Sequence, residues 1–355
     1  MADRLISADS HVKLEHDQVK ERLAGRFHDA YDAAYLRAMT EMLGGNAAKA
    51  NMAGLAHVHP AYGQPGYSDP VERLKEMDVD GVDVEILYCE VSAYRYLYLM
   101  DEGSHEATRA FNDTLLDFAS VDPRRLVVTC QVPIHDIDVA VEEVQRVAAA
   151  GCKSLQLPVF PAEVGQPDYH DPRYERLLAA IAETGMPVCN HIGLNTALDE
   201  LADRDPTPRL AWTMSCMPLS ACEALGMWLL TGPLVRHPEL KVVFVEPGLG
   251  WVAYYLHFLD DMVLRQGYEF PMLEGELPSF YYHRNMAMTF IDEPDPIRHL
   301  LPRLGVGNVM WSSDYPHPVS SWPKSQAIVD DLFEGMAEAD RDAIVCHNAE
   351  RIWSL

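Results

Sequence analysis

The sequence lacks any long apolar segment and is poor in basic residues. Nowhere do about 18 apolar residues follow one another, as a membrane-spanning helix requires. Lysine and arginine together number 28 against 54 acidic residues, so the formal net charge is -26. A charge of this sign argues against nucleic acid, an anionic membrane surface or a polyanionic substrate as partner. The opening residues, MADRLISADSH, lack the basic and apolar regions of an export signal, and we expect a cytoplasmic protein.

Spaced cysteine pairs are also absent. The seven cysteines are odd in number, show no C-x-x-C spacing and lie mostly in apolar, strand-like runs. We therefore predict reduced thiols in the core, and neither a disulfide framework nor a thiolate metal site. The residues concerned are Cys89, Cys130, Cys152, Cys189, Cys216, Cys222 and Cys346.

Short apolar strands alternate with amphipathic helices along most of the chain. The apolar runs predict eight strands, at about 4–9, 82–89, 126–132, 152–157, 187–192, 241–246, 285–290 and 306–312. The helices between them carry recognisable ends, such as the Asp69-Pro70 start and the Gly185 stop. Regular alternation implies parallel strands with right-handed crossovers, and eight units favour a closed (β/α)8 barrel of the TIM type over an open sheet.

Two long stretches interrupt this alternation. Residues 12–68 show no clean period, and we predict one domain over residues 1–355 in which 12–68 is an insertion folding over the active site. His57 and His59 within it resemble a metal-binding pair, but no strand orients them and we predict that they are not ligands. Residues 194–214 are rich in Asp, Pro and Thr and are predicted to form a second loop beside the site.

Five polar residues come at the ends of otherwise apolar strands. They are Asp9, His11, His191, Glu246 and Asp314. Because the carboxyl ends of barrel strands meet at one rim, we expect these side chains to lie together. Two imidazoles and two carboxylates suit zinc, manganese or iron, with a position left open for water.

Each of these residues also has an ordinary structural explanation. An isolated Asp-x-His is commonly a polar strand end, and Asp314 would serve as the cap of a Pro-containing turn. A buried histidine such as His191 is more often a satisfied core residue than a ligand. Glu246 would stabilise the start of the next helix by about 0.3–1 kcal/mol.

Several motifs resemble the amidohydrolase superfamily across nearly the whole chain. They are ISADSH, DPVERLKEMDVDGVDVEILY, NHIG, FVEPGLGW, WSSDYPH and HNAERIW. The similarity is greatest to the branch containing aminocarboxymuconate-semialdehyde decarboxylase and γ-resorcylate decarboxylase. The resemblance implies a metal-dependent (β/α)8 barrel with Asp9 and His11 as first-strand ligands, His191 as the fifth-strand ligand and Asp314 as the eighth. In such enzymes the residue at Asp314 also handles protons.

The chain departs from this pattern at two positions. The first ligand position often holds His or Glu in this branch, whereas here it is Asp9. The better-known decarboxylases carry a His after the sixth strand, where this chain has Glu246. The residue expected to activate water or polarise the substrate is therefore an anion, or an acid of raised pKa.

These observations lead us to expect a metal-dependent hydrolase with one divalent transition metal ion, zinc first and manganese or iron as alternatives. Asp314, Glu246 and His191 are the expected catalytic residues, acting with a metal-activated water on a small organic substrate, aromatic or cyclic ones included. One alternative is a non-oxidative decarboxylase of a hydroxylated aromatic or enoic acid. Hydrolysis is preferred because a substrate carboxylate would lie beside Asp9, Asp314 and Glu246. Another alternative is a small-molecule-binding barrel without catalysis.

The expected substrate contacts are Arg95, Trp251 and His317, which follow the second, sixth and eighth strands. The expected partner is a small molecule, with no nucleic acid and no membrane. The sequence leaves open whether two subunits pair as a homodimer.

Overall fold

The computed structural model describes residues 4–43, 60–89, 93–193 and 196–355. Eight strands pair in chain order, every neighbouring pair being parallel. They are β1 (Ile6–Val12), β2 (Val84–Cys89), β3 (Leu126–Gln131), β4 (Ser154–Gln156), β5 (Val188–His191), β6 (Val242–Val245), β7 (Met286–Phe290) and β8 (Val309–Trp311). All strand residues are buried, as expected when helices cover the outside of a parallel sheet. The predicted (β/α)8 barrel is confirmed.

The barrel closes where β8 meets β1, through residues that carry polar side chains. Ser10 and Tyr315 form a parallel bridge. The amide of Asp314 donates to the carbonyl of Asp9 at 2.9 Å, and the amide of His11 donates to the carbonyl of Tyr315 at 2.6 Å. The first and last strands of the barrel are therefore joined at the predicted ligands themselves.

Helices separate the strands and surround them. Their bounds are His16–Lys20, His28–Leu43, Pro70–Asp80, Ala93–Tyr98, Ser104–Ala119, Ile137–Ala149, Glu175–Thr184, Thr196–Arg204, Ala211–Cys216, Ala221–Leu230, Pro233–Arg236, Gly250–Gln266, Pro278–Asn285, Pro294–His299, Leu301–Leu304, Ser325–Leu332, Glu338–Asp342 and Asn348–Trp353. The predicted start at Asp69 is confirmed, since its carboxylate accepts the amides of Val71 and Glu72 at 2.8 and 3.2 Å. Gly185, in the left-handed conformation at φ 71°, ends the helix before β5 as predicted.

Two stretches predicted as irregular contain helices. In the insertion, the helix His28–Leu43 buries Tyr31, Ala34 and Ala38 on one face. Alanines contribute little apolar contrast, so the helical period is weak in the sequence although the face is buried.

The second of these stretches, 194–214, contains the helices Thr196–Arg204 and Ala211–Cys216. Its Asp and Thr residues form the turn between them, where Asp205 accepts the amides of Thr207 and Thr213, both at 2.8 Å. The turn residues that predict a loop here mark only the junction of two helices.

The limits of β1 and β8, the two strands that close the barrel, differ from the prediction. β1 continues to Val12, so Asp9 and His11 lie inside the strand and not after it. β8 begins only at Val309, because residues 306–308 form a 3-10 turn. β1 is longer than its apolar segment because Ser10, His11 and Val12 pair with Leu87, Tyr88 and Cys89 of β2.

The core of the barrel and its surrounding helices is apolar. All seven cysteines are free thiols, of which Cys216 and Cys222 are half-buried and the rest buried, in agreement with the predicted absence of disulfides. Among the helices of the described residues, none combines the length and apolarity that crossing a membrane demands.

Candidate active site

Strand β1 contributes two adjacent ligand candidates. A register irregularity between Ser7 and Ser10 interrupts the pairing of β1 with β2 beside Asp9. Bulges of this kind re-aim side chains and are common near active sites. Asp9 and His11 are both fully buried, with Asp9 Oδ1 3.8 Å from His11 Nε2. The two side chains converge, as the Asp-x-His spacing predicts.

Strand β5 brings His191 to the same place. Its Nδ1 lies 2.8 Å from the carbonyl oxygen of Ile192, an acceptor, so the ring carries a proton on Nδ1. In the neutral ring the lone pair is then on Nε2, which lies 3.4 Å from Asp9 Oδ1. Burial lowers the pKa of His191, but the Asp9 carboxylate outweighs it and the pKa is raised to about 9.

Asp314 follows β8 in a left-handed backbone conformation, φ 52°, that is uncommon for a residue with a side chain. Its Oδ1 lies 3.2 Å from His11 Nε2 and 3.0 Å from His317 Nδ1. The His317 ring stacks on the His11 ring with centroids 3.8 Å apart. Asp314 Oδ1 therefore contacts two imidazoles, that of His11 on β1 and that of His317 in the turn that follows Asp314.

Glu246 follows β6 and takes the same backbone conformation, φ 59°. Its amide donates to Thr289 Oγ1 at 2.8 Å. One carboxylate oxygen from each of Asp9, Glu246 and Asp314 lies within 4.8 Å of the others. Burial, with Asp314 next in effect, raises the pKa of Glu246 to about 8.

The structure assigns the expected helix-capping role to a different acid. The amide of Leu249, at the start of the helix Gly250–Gln266, donates to both carboxylate oxygens of Glu293 at 3.1 and 2.9 Å. Glu293 follows β7 and is half-buried, and burial raises its pKa. The carboxylate of Glu246 is therefore left to the group formed by Asp9, His11, His191, Glu246 and Asp314, here termed the strand-end cluster.

The strand-end cluster has the donors that a divalent metal ion requires. Within the described chain, both carboxylate oxygens of Asp9, Oδ2 of Asp314 and Nε2 of His191 are buried and make no hydrogen bond. Burying such groups without a partner is costly. Asp9, His11 and His191 present ligand atoms within 4.8 Å of one another. Two carboxylates and two imidazoles fit zinc, manganese or iron.

A buried ion pair supports this cluster and was not predicted from the sequence. Arg73, on the buried side of the helix Pro70–Asp80, donates from Nε to Glu85 of β2 at 2.5 Å. Its Nη1 donates to the carbonyl of His11 at 2.8 Å, and its guanidinium lies 3.9 Å over the Tyr315 ring. The available signal was the charged Glu85 within an otherwise apolar strand, VEILYC.

The three predicted substrate contacts have different outcomes. His317 contacts the cluster directly through Asp314 and His11. Trp251 is half-buried in the first turn after β6 and donates from Nε1 to the carbonyl of Pro247 at 2.6 Å. Arg95 belongs to the helix that follows β2, but its side chain lies outside the described part of the chain. His57 and His59 lie outside the described residues as well.

Three known proteins are similar over most of the chain. Identity is 20% to 2-amino-3-carboxymuconate-6-semialdehyde decarboxylase of Dictyostelium discoideum, over 79% of this chain and 75% of the relative. It is 24% to gamma-resorcylate decarboxylase of Rhizobium sp. (strain MTP-10005), over 80% of this chain and 86% of the relative. The third is a solved structure, 5-carboxyvanillate decarboxylase of Novosphingobium aromaticivorans, complexed with manganese and 4-hydroxy-3-methoxy-5-nitrobenzoic acid. It has the same fold, with a TM-score of 0.75 at 16% identity over 99% of this chain and 96% of that one.

The expectation of a hydrolase is wrong, because these similar proteins are decarboxylases. That expectation weighed a substrate carboxylate against the neighbouring acids Asp9, Asp314 and Glu246. Acids this close do not ionise independently. Burial and Asp314 raise the pKa of Glu246 to about 8, so at neutral pH a protonated Glu246 repels a substrate carboxylate less than an ionised acid would.

A family-level comparison agrees with the fold and with the motifs. The profile described as Amidohydrolase matches residues 55–355, which is most of the chain. The parallel eight-stranded barrel is the fold that the resemblance implied. The chain therefore belongs to the amidohydrolase family, and it is an enzyme of that superfamily.

Proposed function

We propose that this protein is a metal-dependent, non-oxidative decarboxylase of a hydroxylated aromatic or enoic acid. The observation that carries the proposal is the convergence of Asp9, His11, His191 and Asp314 at one end of the barrel. The named substrates of the similar proteins, a carboxymuconate semialdehyde, γ-resorcylate and 5-carboxyvanillate, are small carboxylic acids. A small anionic molecule is therefore the proposed partner of this site.

Asp9, His11, His191 and Asp314 would hold one divalent metal ion. Both carboxylate oxygens of Asp9, Oδ2 of Asp314 and Nε2 of His191 are buried without a hydrogen bond in the described residues, which supports this assignment. When bound, the ion supplies positive charge that orients the substrate carboxylate and stabilises the negative charge developing on the substrate. The similar Novosphingobium enzyme was solved with manganese, so manganese should be tested beside zinc.

Asp314 would deliver the proton that decarboxylation consumes. In this reaction the bond from the ring or alkene carbon to the carboxylate carbon breaks, and its electron pair stays on the ring or alkene carbon. That carbon then takes the proton of the Asp314 carboxyl group while CO2 leaves, and solvent returns one proton to the ionised Asp314 in each turnover. Asp314 is fully buried, whereas the His317 ring 3.0 Å from it is 14% exposed. His317 therefore lies between the proposed proton donor and solvent.

We also propose that residues 1–355 form one domain in which the segment 12–68 lies over the active site. The end of that segment reaches the site, since the Tyr62 ring lies 5.7 Å from the His317 ring, centroid to centroid. Trp251 and Arg95 stay proposed substrate contacts beside His317. A cover of this kind would exclude water from the carbanion-like carbon.

The test is a substrate screen on purified protein reloaded with Mn2+ or Zn2+. Hydroxybenzoates, hydroxylated methoxybenzoates and unsaturated dicarboxylic acids are incubated in D2O, and CO2 and the remaining product are measured. We expect CO2 release from at least one acid, with one deuterium at the vacated carbon. Metal-loaded protein that releases no CO2 from any acid, yet hydrolyses esters or lactones, would contradict the proposal.

A further inference from the structure

We propose that Glu246 is an additional ligand of the metal ion and shifts the preference of the site from zinc toward manganese. The inference rests on the proposed metal-dependent function and concerns which ion serves it. It depends on the position of the Glu246 carboxylate, on whether His317 is a better ligand, and on the ligand atoms that the five residues of the strand-end cluster provide together.

The position of the carboxylate is set by the backbone. Oxygens of Asp9, Glu246 and Asp314 lie within 4.8 Å of one another. Three ligands of one ion, each at about 2.2 Å and evenly spaced around it, are about 3.8 Å apart, so a movement of about 1 Å or less brings the three oxygens into one coordination sphere. The left-handed backbone conformation of Glu246 is stabilised by the hydrogen bond that its amide donates to the buried Thr289 hydroxyl. Uncommon backbone conformations persist at functional sites where the surroundings enforce them.

Glu246 has no other structural role in the described part of the chain. The helix start that it was expected to cap is capped by Glu293. The charged groups acting on its carboxylate are Asp314, His191, Asp9 and His317, all belonging to the strand-end cluster or touching it. Once all three are ionised, carboxylates at this separation repel one another, and a divalent cation is the group that would offset the repulsion.

His317 is the competing candidate, because its ligand atom also lies near those of His11 and Asp314. Its ring, however, stacks on His11 with an angle of 26° between the ring planes. The lone pair of an imidazole nitrogen lies in the plane of its ring. Two rings stacked face to face therefore cannot both direct a lone pair at one ion, and Glu246 is the better additional donor.

With Glu246 the set contains three carboxylates and two imidazoles. Zinc in proteins is usually four-coordinate, whereas manganese accepts more ligands and favours carboxylate oxygen. Zinc still binds a given site more tightly than manganese in absolute terms. The expected effect of Glu246 is to narrow that difference by strengthening manganese binding more than zinc binding.

The experiment measures metal binding directly, without activity. Metal-free protein is titrated with Mn2+ and with Zn2+ against a competing indicator chelator, for wild type, Glu246→Gln and Glu246→Ala. We expect the manganese Kd to rise by about 10-fold or more and the zinc Kd by less than about 3-fold. The Ala variant should lose at least as much as Gln, whose amide oxygen is a weaker donor. Equal losses for both ions, or none for manganese, would overturn the proposal.

Glu293→Gln is the matched control, since it neutralises an acid that follows the next strand and bonds a backbone amide. It should leave the ratio of the two Kd values unchanged. If Glu246→Gln does not fold, Thr289→Val provides the second test, because it loosens the Glu246 backbone and should weaken manganese binding in the same direction. A protein that shows this selectivity but decarboxylates nothing would disprove the proposed reaction alone. A protein that binds neither ion would disprove the metal proposal.

Discussion

Two groups of buried charged residues share strand β1 and differ in how they are satisfied. The Glu85 carboxylate accepts a hydrogen bond from Arg73 Nε at 2.5 Å and another from the Ser10 hydroxyl at 3.2 Å. Asp9, equally buried, has two carboxylate oxygens without a hydrogen bond in the described residues. His11 belongs to both, with its carbonyl bonded to Arg73 and its ring in the strand-end cluster. Folding therefore pairs the charge of Glu85, although Arg73 Nη2 is buried without a hydrogen bond in the described residues, whereas a cation from solution is the proposed partner of the second group.

The largest expected effect comes from Asp314, the proposed proton donor of the unsatisfied group. Asp314→Asn keeps the shape but cannot deliver a proton, so at a metal content matched to wild type kcat for decarboxylation should fall by about 10²–10⁴-fold. Thermal unfolding of the metal-free protein should change little. The matched control is Asp80→Asn, a buried acid that bonds the amide and hydroxyl of Ser325 at 2.8 and 2.5 Å. Asp80→Asn should lower stability and leave kcat near wild type; the reverse pattern would remove the distinction between the two kinds of acid.

The satisfied group can be broken by removing one partner. Arg73→Met leaves Glu85 buried without its cation, and the free energy of unfolding should fall by about 3–5 kcal/mol. Replacing both residues, as in Arg73→Met with Glu85→Leu, should recover most of that loss. Denaturant unfolding of the two variants measures the difference. A double variant as unstable as the single one would show that the contacts of Arg73 and Glu85 with other residues, and not only their mutual pairing, stabilise the fold.

Added Mn2+ should stabilise the folded protein by binding to the strand-end cluster. At a Mn2+ concentration of about 100 times Kd, the wild-type free energy of unfolding should rise by about 2.7 kcal/mol. A variant with Asp9→Ala and His11→Ala should show no such increase. Arg73→Met should retain a similar increment above its lower baseline. Thermal unfolding with and without Mn2+ provides the measurement, and an equal shift in the Asp9/His11 variant would place the binding elsewhere.

A smaller effect is expected from pH. In the metal-free protein the pKa of His191 is raised to about 9. Below that pH the ring carries a second proton, on Nε2, which must leave before a metal binds that nitrogen. Metal affinity should therefore fall as pH is lowered through about 9, approaching 10-fold per unit. Below about 8 a proton on Glu246 would steepen the dependence if that residue is also a ligand. Competition titrations at several pH values measure the slope, and an affinity that is flat between about pH 7 and 9 would argue against His191 as a ligand.

Much of the barrel was predictable because its signals are local. Apolar runs of the length of a strand and helices with Asp-Pro starts and glycine ends are set by neighbouring residues, and all eight strands were found near their predicted positions. The helices in 12–68 and 194–214 were missed for equally local reasons. An alanine-rich buried face gives little apolar contrast, and the turn around Asp205 resembles a loop.

The sequence by itself determined the order of strands and the polar residues that follow them, because side-chain alternation and helix ends depend on a few adjacent residues. Tertiary structure decided which of those residues meet. Closure of β8 on β1 brings Asp314 to Asp9, and the left-handed turn after β6 brings Glu246 to both. It also gave the helix cap to Glu293 and placed Arg73 against Glu85. Charge states follow from these distant contacts, since burial and neighbouring acids set the pKa of a carboxyl, and neither is written in its local sequence.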